Sequence, residues 1–451
     1  MIALASRNDL LTEIDNPWQP VHNSGWNFIQ VKVGYNIILG KMLHNEATSP
    51  EDLEVPYLKS QHVQWDKVVL QDLPAMWASP WEIKTLTIRT GDLLVCEGGD
   101  VGRAGIVSGT PPGNCIIQNA LHLVRARYGN STHFLRYLLQ HAASHKWFEV
   151  LCNRATIAHF TVDKFSQMWI WLPPLDEQRQ ISNYLDRTTQ SIDALIAAKK
   201  RLLELLAEKR RSMITQAVTR GLTADVPMKD SGVEWLGKIP RSWRVKRIKF
   251  LLSGIEGGIS PQCYGFPPNK GEWGVLKTGC VNGGIFNSLE SKTLPEDITP
   301  PLELEVREGD ILMSRASGSI DLVGAVALVP EQPTARLLLS DKTFRLNLNS
   351  RLCDSSFFVA VMGSLIVRQQ IHQVISGAEG LANNIAQSDI RELIIPLPPL
   401  SEQKEIIKIM TQKTRMIDYL FKAAEEAIAL LQERRTSLIS AAVTGQLQIP
   451  D

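Results

Sequence analysis

The sequence predicts an α+β protein built as a tandem internal repeat. Two β-rich, mixed α/β domains are each followed by one long helix, and the two helices pair as a coiled coil. Three observations predict this. Leu172-Pro173-Pro174-Leu175-Asp176-Glu177-Gln178 recurs as Leu397-Pro398-Pro399-Leu400-Ser401-Glu402-Gln403. From Leu172 to Leu222 the two copies superpose at a constant offset of 225, with about 22 of 51 positions identical. The segments ahead of them share one plan of short apolar runs separated by Gly, Pro and Asp turns.

The helices follow from local chemistry. Two prolines precede Asp176 and Ser401, both good N-caps, and the next Glu places negative charge at the helix N-terminus. Apolar residues then recur in steps of three, four and seven: Ile181, Leu185, Ile192, Leu195, Leu202, Leu206 and Met213. The partner stripe is Ile406, Met410, Ile417, Leu420, Ala427, Leu431 and Leu438. Such spacing marks a helix with one buried seam. Neither copy contains Gly or Pro before Gly221 and Gly445, so about 44 residues at 1.5 Å give a rod of roughly 65 Å. A surface helix packed on its own domain is the plainer alternative, but the length and narrow seam favour two rods packing together.

In chain order, residues 1–23 carry Pro17 and Pro20 without a clear period and stay unassigned. The first domain covers 24–171. Strands are expected in Trp26–Val33, Val68–Leu70, Leu93–Cys96, Ile106–Val107, Ile116–Ile117, Leu121–Val124 and Met168–Leu172, with a helix over Phe134–Val150. The first rod occupies 172–220, and a polar connection 221–240. The second domain spans 241–396, the second rod 397–445 and a tail 446–451. Trp243 answers Trp26 at an offset of 217, and Gly309-Asp310-Ile311-Leu312 answers Gly91-Asp92-Leu93-Leu94 at 218. The second domain therefore carries roughly seven more residues, mostly after Ser314.

Composition is that of an ordinary soluble protein, with 44% hydrophobic and 21% charged residues among 451. The apolar runs are too short for a membrane span, and the N-terminus lacks a signal-peptide pattern, so a cytoplasmic location is expected. Cys96, Cys115, Cys152, Cys263, Cys280 and Cys353 form no CxxC pair, which leaves zinc and disulfide frameworks unindicated. A net charge of +1 provides no global attraction to nucleic acid, so any such surface is local.

No catalytic motif survives inspection. A phosphate-cradling G-x-x-x-x-G-K-[ST] loop, a G-x-S-x-G elbow, an H-E-x-x-H helix, a dinucleotide fingerprint and an amino-methyltransferase signature are all missing. His141 and His145, four apart, would make a metal pair only with a carboxylate that is not evident, so no metal is expected. Glu97 and Asp100 flank two glycines and read as a solvated loop rather than a nuclease. Two loops carry binding chemistry: Glu97-Gly98-Gly99-Asp100-Val101-Gly102-Arg103 and Arg315-Ala316-Ser317-Gly318-Ser319-Ile320. Glycine lets backbone approach a ligand, and Arg and Ser contact phosphates and bases, although a tight turn would use the same glycines. The DNA-contact candidates are Lys59, Gly98, Gly99, Arg103, Gln118, Asn119, Arg244, Lys246, Lys277, Arg315, Ser317, Ser319 and Lys342. Arg244 and Lys246 belong to a basic run from Arg241 to Lys249 suited to a phosphate backbone, or simply to a solvated face.

The paired L-P-P-L-x-E-Q rods, both ending Ala-Val-Thr, and the segment Met228-Lys229-Asp230-Ser231-Gly232-Val233-Glu234-Trp235-Leu236-Gly237-Lys238-Ile239-Pro240 carry a resemblance. So do Val95-Cys96-Glu97-Gly98-Gly99 and Asp310-Ile311-Leu312-Met313-Ser314-Arg315. From Trp26 onward the chain resembles the specificity subunit of type I restriction–modification systems; residues 1–23 depart from the pattern. The resemblance implies two target recognition domains, each reading half of an asymmetric bipartite site on double-stranded DNA. It implies antiparallel rods with pseudo-twofold symmetry that set half-site spacing and dock two modification subunits. It further implies restriction subunits as partners. S-adenosylmethionine, ATP and Mg would belong to those partners, with no cofactor and no catalysis in this chain. The alternatives are a coiled-coil adaptor or orphan DNA-binding protein and, further off, a self-contained nuclease carrying paired acids and a Lys.

Overall fold

The computed structural model describes residues 25–65, 67–152, 159–223, 225–375 and 383–449; the unassigned 1–23 segment lies outside them. The chain divides into two compact units, 1–199 with 426–451 and 200–425. Each unit holds one β-rich domain and parts of both long helices.

In the first unit, β1 (Asn27–Gln30), α1 (Val31–Gly34), β2 (Tyr35–Leu39), β3 (Leu53–Leu58), β4 (Ala75–Ala78) and α2 (Pro80–Leu86) come first. Then follow β5 (Leu93–Cys96), β6 (Ala104–Ile106), β7 (Ile116–Ile117), β8 (Leu121–Ala126), α3 (Thr132–Ser144), α4 (Trp147–Leu151), α5 (Val162–Gln167) and β9 (Trp169–Leu172). Four strands form an antiparallel sheet ordered β2-β8-β5-β6, three form β4-β3-β7, and β1 pairs with β9. All of β5 is buried, as expected of a central strand covered on both faces. The rod α6 (Leu175–Arg220) leaves from β9.

The second unit repeats this plan. After the hairpin β10 (Met228–Asp230) and β11 (Lys238–Pro240) come β12 (Arg244–Arg247), β13 (Leu252–Gly257), β14 (Trp273–Leu276), β15 (Ser291–Thr293), β16 (Ile311–Ser314) and β17 (Ala316–Ser317). Next are β18 (Val326–Leu328), β19 (Arg336–Leu338), β20 (Thr343–Leu348), α7 (Ser355–Met362), α8 (Leu365–Val374), β21 (Asn383–Asn384), α9 (Gln387–Glu392), β22 (Ile394–Leu397) and the rod α10 (Leu400–Val443). Its sheets, β13-β20-β16-β18, β15-β14-β19 and β12-β22, match those of the first unit strand for strand.

The repeated Gly-Asp turns show why the sequence keeps them. Gly91 and Gly309 take φ of +89° and +87°, where a side chain is strained. Asp92 accepts from the Arg89 N–H at 2.8 Å and pairs with Arg125 through two oxygens at 2.9 and 2.8 Å. Asp310 accepts from the Arg307 N–H at 2.9 Å and lies 3.1 Å from Arg345 Nε.

The repeated Glu-Gln pair forms the joint between domain and rod. Trp26 Nε1 donates to Glu177 at 3.1 Å, and Trp243 Nε1 to Glu402 at 2.9 Å. Gln178 and Gln403 are buried. Gln178 Oε1 accepts from the N–H of Ser131, the N-cap of α3, at 2.9 Å, while its Nε2 donates to the Pro173 carbonyl at 2.8 Å. Gln403 does the same with Asp354, the N-cap of α7, at 2.8 Å and with Pro398 at 2.9 Å. A buried amide that saturates both its donor and its acceptor in this way locks register as well as adding stability.

Within each unit the rods run antiparallel. In the first, Ile181 and Leu185 share a core with Ile439, Ala442 and Val443, and Asp193 pairs with Arg435 at 2.9 Å. In the second, Ala217 and Val218 share a core with Ile406 and Met410, and Arg210 lies 3.7 Å from Asp418. Both ion pairs join the same two positions of the 225-residue repeat.

Several expectations need correction. Leu195, Leu202 and Leu420 are 52%, 41% and 40% exposed and lie off the seam. Ile196 and Ala424 are buried and Leu203 and Phe421 half-buried instead, because the packing alternates strictly between three and four residues. Ile181, Leu185, Ile192, Ile406, Met410 and Ile417 are buried; Leu206, Met213, Leu431 and Leu438 are half-buried. The strand expected over Trp26–Val33 ends at Gln30, where the chain turns into α1. Val68–Leu70 contributes only a bridge from Val68 to Val63. The helix expected over Phe134–Val150 breaks at Lys146, which adopts φ +57°. The polar connection contains the β10–β11 hairpin.

Candidate nucleic-acid interface

In the first unit, three chain segments meet at one edge of the sheets. They are the turn after β5 (97–103), residues 59–60 after β3, and 118–120 between β7 and β8. Backbone bonds fix them: Glu97 N–H to the Ala120 carbonyl at 3.0 Å, Gln118 N–H to Leu58 at 2.9 Å, and Asn119 N–H to Lys41 at 2.8 Å. Lys59, Gly98, Gly99, Arg103, Gln118 and Asn119 are thus gathered together. Gly40 closes the cluster, since a Cβ there would lie 2.2 Å from the Gln118 carbonyl oxygen.

These residues have different duties. Arg103 is half-buried and committed to the turn, donating to Asp100 at 3.1 Å and to the Ser60 carbonyl at 3.0 Å. Gly102 has φ +78° and no room for a Cβ beside the Phe148 ring, whereas Gly98 has space. Among the described residues, the Gln118 and Asn119 side chains have no hydrogen-bond partner, and both are half-buried. Beneath them, Lys41 pairs with Glu82 at 2.7 Å. Burial alone would raise the Glu82 carboxyl, but bonds from Lys41 and Ser79 outweigh it and hold it below the usual range. His122, fully buried on β8, has a pKa pushed down by burial; its Nε2 lies 2.7 Å from the Phe160 carbonyl, and among the described residues Nδ1 has no partner.

In the second unit the corresponding edge gathers Arg315, Ser317, Ser319 and Lys342. Arg315 N–H donates to the Lys342 carbonyl at 2.8 Å, and its Nη1 to the Asp341 carbonyl at 3.2 Å. Its guanidinium lies 5.6 Å from the centre of the Phe344 ring. Ser317 Oγ accepts from the Ser319 N–H at 3.2 Å, and Lys342 Nζ is 3.8 Å from Asp341. Asn383 and Asn384 pair with Ser317 and Ala316; sequence reasoning missed them, although two adjacent asparagines shortly before α9 were a visible signal. Lys277, at the end of β14, bonds through its N–H to Glu290 at 2.8 Å. Because β14 and β19 are parallel, Lys277 and the 340–342 segment leave the same end of that sheet.

Arg244 and Lys246 are not brought into this cluster. They sit on β12, paired with β22 directly ahead of the rod, and Lys246 Nζ lies 5.8 Å from the Phe250 ring centre. Their neighbours in the basic run, Arg247 and Lys249, pair with Glu392 at 3.1 and 2.7 Å. His141 Nδ1 lies 2.9 Å from Ser440 Oγ on α10, a joint between domain and rod. The repeat counterpart of Ser440 is Thr215, whose Oγ1 accepts from the Leu365 N–H at 3.2 Å. Among the described residues, no group of three or more His, Cys, Asp and Glu side chains is placed to hold a metal. No helix among them is long and apolar enough to cross a membrane.

The two clusters have the same backbone scaffold. Glu97 N–H to Ala120 O is matched by Arg315 N–H to Lys342 O, and Phe160 N–H to Glu97 O at 2.8 Å by Ile385 N–H to Arg315 O at 3.1 Å. The parallel bridge from Lys41 to Gln118 is matched by that from Ile259 to Ser340. Gly40 is matched by Gly258, whose Cβ would lie 2.1 Å from the Leu339 oxygen. On this shared frame Lys59 and Lys277 recur after β3 and β14, while the other side chains differ: Glu97 against Arg315, Gln118-Asn119-Ala120 against Ser340-Asp341-Lys342, and His122 against Phe344.

The type I restriction modification DNA specificity domain matches residues 79–205 and again 303–428, together more than half of the chain. The chain is 31% identical over 191 residues to the EcoEI specificity subunit of Escherichia coli, covering 42% of this chain and 32% of that one. It is 24% identical over 297 residues to the EcoKI specificity subunit of Escherichia coli K12, covering 65% and 61%. These matches span less than two thirds of either relative. A putative MjaX specificity subunit of Methanocaldococcus jannaschii is 26% identical over 358 residues, covering 77% and 76%. A solved chain from work on complex assembly and conformational transition of the type I R-M system has the same fold, with TM-score 0.67 and 16% identity, covering 94% and 99%. With two copies of that domain, each carried on the same strand order and joined to its own rod, the chain belongs to the type I restriction modification DNA specificity domain family.

Proposed function

We propose that this chain is the DNA-specificity subunit of a type I restriction–modification complex and is itself non-catalytic. Each domain reads one half of a bipartite, asymmetric double-stranded DNA site. The rods fix the half-site separation and dock two modification subunits, which bring S-adenosylmethionine and methylate adenine. Restriction subunits bring ATP and Mg. The observation that carries this reading is the pair of edge clusters: one backbone frame, built twice, holds two different sets of hydrogen-bonding side chains. Two readers of different sequences require that arrangement, whereas a pure adaptor has no use for it. Two readers on a bar accept two half-sites only at matching separation and helical phase, because about 10 bp make one DNA turn. A net charge of +1 fits a subunit whose partners share the grip on phosphate.

The test is a map of modified bases in host DNA with the gene intact and deleted. The reading expects adenine methylation at one two-part motif that disappears on deletion. An unchanged map contradicts it.

A further inference from the structure

At the equivalent point of the two edge clusters the chain carries opposite charges. Glu97 and Arg315 each lie two residues beyond a strand position whose register partner is a ring on the neighbouring strand. Val95 faces His122, and Met313 faces Phe344. Each of the two residues donates its N–H to the segment before that ring and accepts from the strand-like segment at the far side. Their side chains therefore leave the same scaffold from the same place. Glu97 is half-buried and its carboxylate has no hydrogen-bond partner among the described residues. Arg315 is exposed, with one Nη1 contact to the Asp341 carbonyl and its plane set against Phe344. That leaves further guanidinium N–H groups on a fixed fork.

The charge inversion decides what this position can address. A phosphate would suit Arg315 but would be repelled by Glu97, so a role shared by both domains is not a grip on the backbone. Base edges suit both. In the major groove, arginine matches the two acceptors of guanine, and a carboxylate accepts from an exocyclic amino group such as that of cytosine. We propose that Glu97 and Arg315 are paired specificity-determining residues, with opposite hydrogen-bond polarity, for one base pair in each half-site. Glu97 accepts from an amino donor in the half read by the first domain. Arg315 donates to a guanine in the half read by the second. This rests on the functional reading above and adds to it the residues and the class of base edge.

The test uses the full chain with its partner subunits. Methylation motifs are compared for wild type, Glu97→Ala and Arg315→Ala. Glu97→Ala should relax one base pair in one half-site, losing about five- to 150-fold in discrimination there, and leave the other half unchanged. Arg315→Ala should relax a G·C pair in the other half by a similar factor. Replacing that guanine with 7-deazaguanine, which lacks the N7 acceptor, should weaken binding by the wild-type complex and not by the Arg315→Ala complex. A purely structural role would lower binding to all sequences alike and overturn the assignment. A motif left unrelaxed by both variants would also overturn it. If the wild-type chain gives no two-part motif at all, the functional reading fails first and this inference falls with it.

Discussion

At the residue scale, His122 shows how one side chain differs in duty from its counterpart in the other domain. It is fully buried, and among the described residues its Nδ1 has no partner while Nε2 meets the Phe160 carbonyl. Burial pushes its pKa below the ordinary value near 6.5, so the native state keeps it neutral while the unfolded chain takes up a proton as pH falls. Stability is therefore lost on acidification below about pH 6.5, with a slope of at most about 1.4 kcal/mol per pH unit from this group. His62 is shifted the same way, mainly by burial. The second domain has Phe344 at the His122 position, a ring that carries no proton. Denaturant unfolding of His122→Phe at pH 7.5 and 5.5 should show a smaller acid loss than wild type. An equal loss would mean that His122 does not carry this term.

At the element scale, the seam of the rods is set by strict three-four alternation, which places Ile192 and Ile196 inside and Leu195 outside. Truncating a buried isoleucine leaves a cavity and costs about 2 kcal/mol or more, whereas an exposed leucine on a helix changes stability by about 0.5 kcal/mol or less. Ile196→Ala should therefore lower the unfolding free energy clearly and Leu195→Ala hardly at all; the reverse order would put the seam back where leucine alone suggests it. The same two residues show what was legible in the sequence. The rods, their bounds to within three residues and their repeat followed from periodicity and from the absence of Gly and Pro. The phase of the seam did not, because leucine is common on exposed helix faces and apolar spacing alone cannot distinguish Leu195 from Ile196. The strands of the central sheet were visible as apolar runs. The turn at Val31, whose N–H donates to the distant Met168 carbonyl at 2.9 Å, and the break at Lys146 were not. Of the candidate site, the glycine loops were visible. That Arg103 is spent on its own turn, and that Asn383 and Asn384 pair with 316–317, depends on contacts between residues far apart in sequence.

At the scale of the whole molecule, the repeat is both the architecture and the proposed mechanism. Both rods carry the same joint, Gln178 or Gln403 buried between helix start and N-cap, and the same pairing of Asp with Arg. The domains keep their strand order and edge frame while the exposed side chains change, as two readers of different half-sites require. The most direct test of that claim replaces residues 241–396 with residues 24–171, so that both rods carry the first domain, and maps methylated bases with the partner subunits present. The account predicts a two-part motif that is an inverted repeat, each half being the sequence now read by the first domain on its own strand. A motif that keeps its original second half would contradict it.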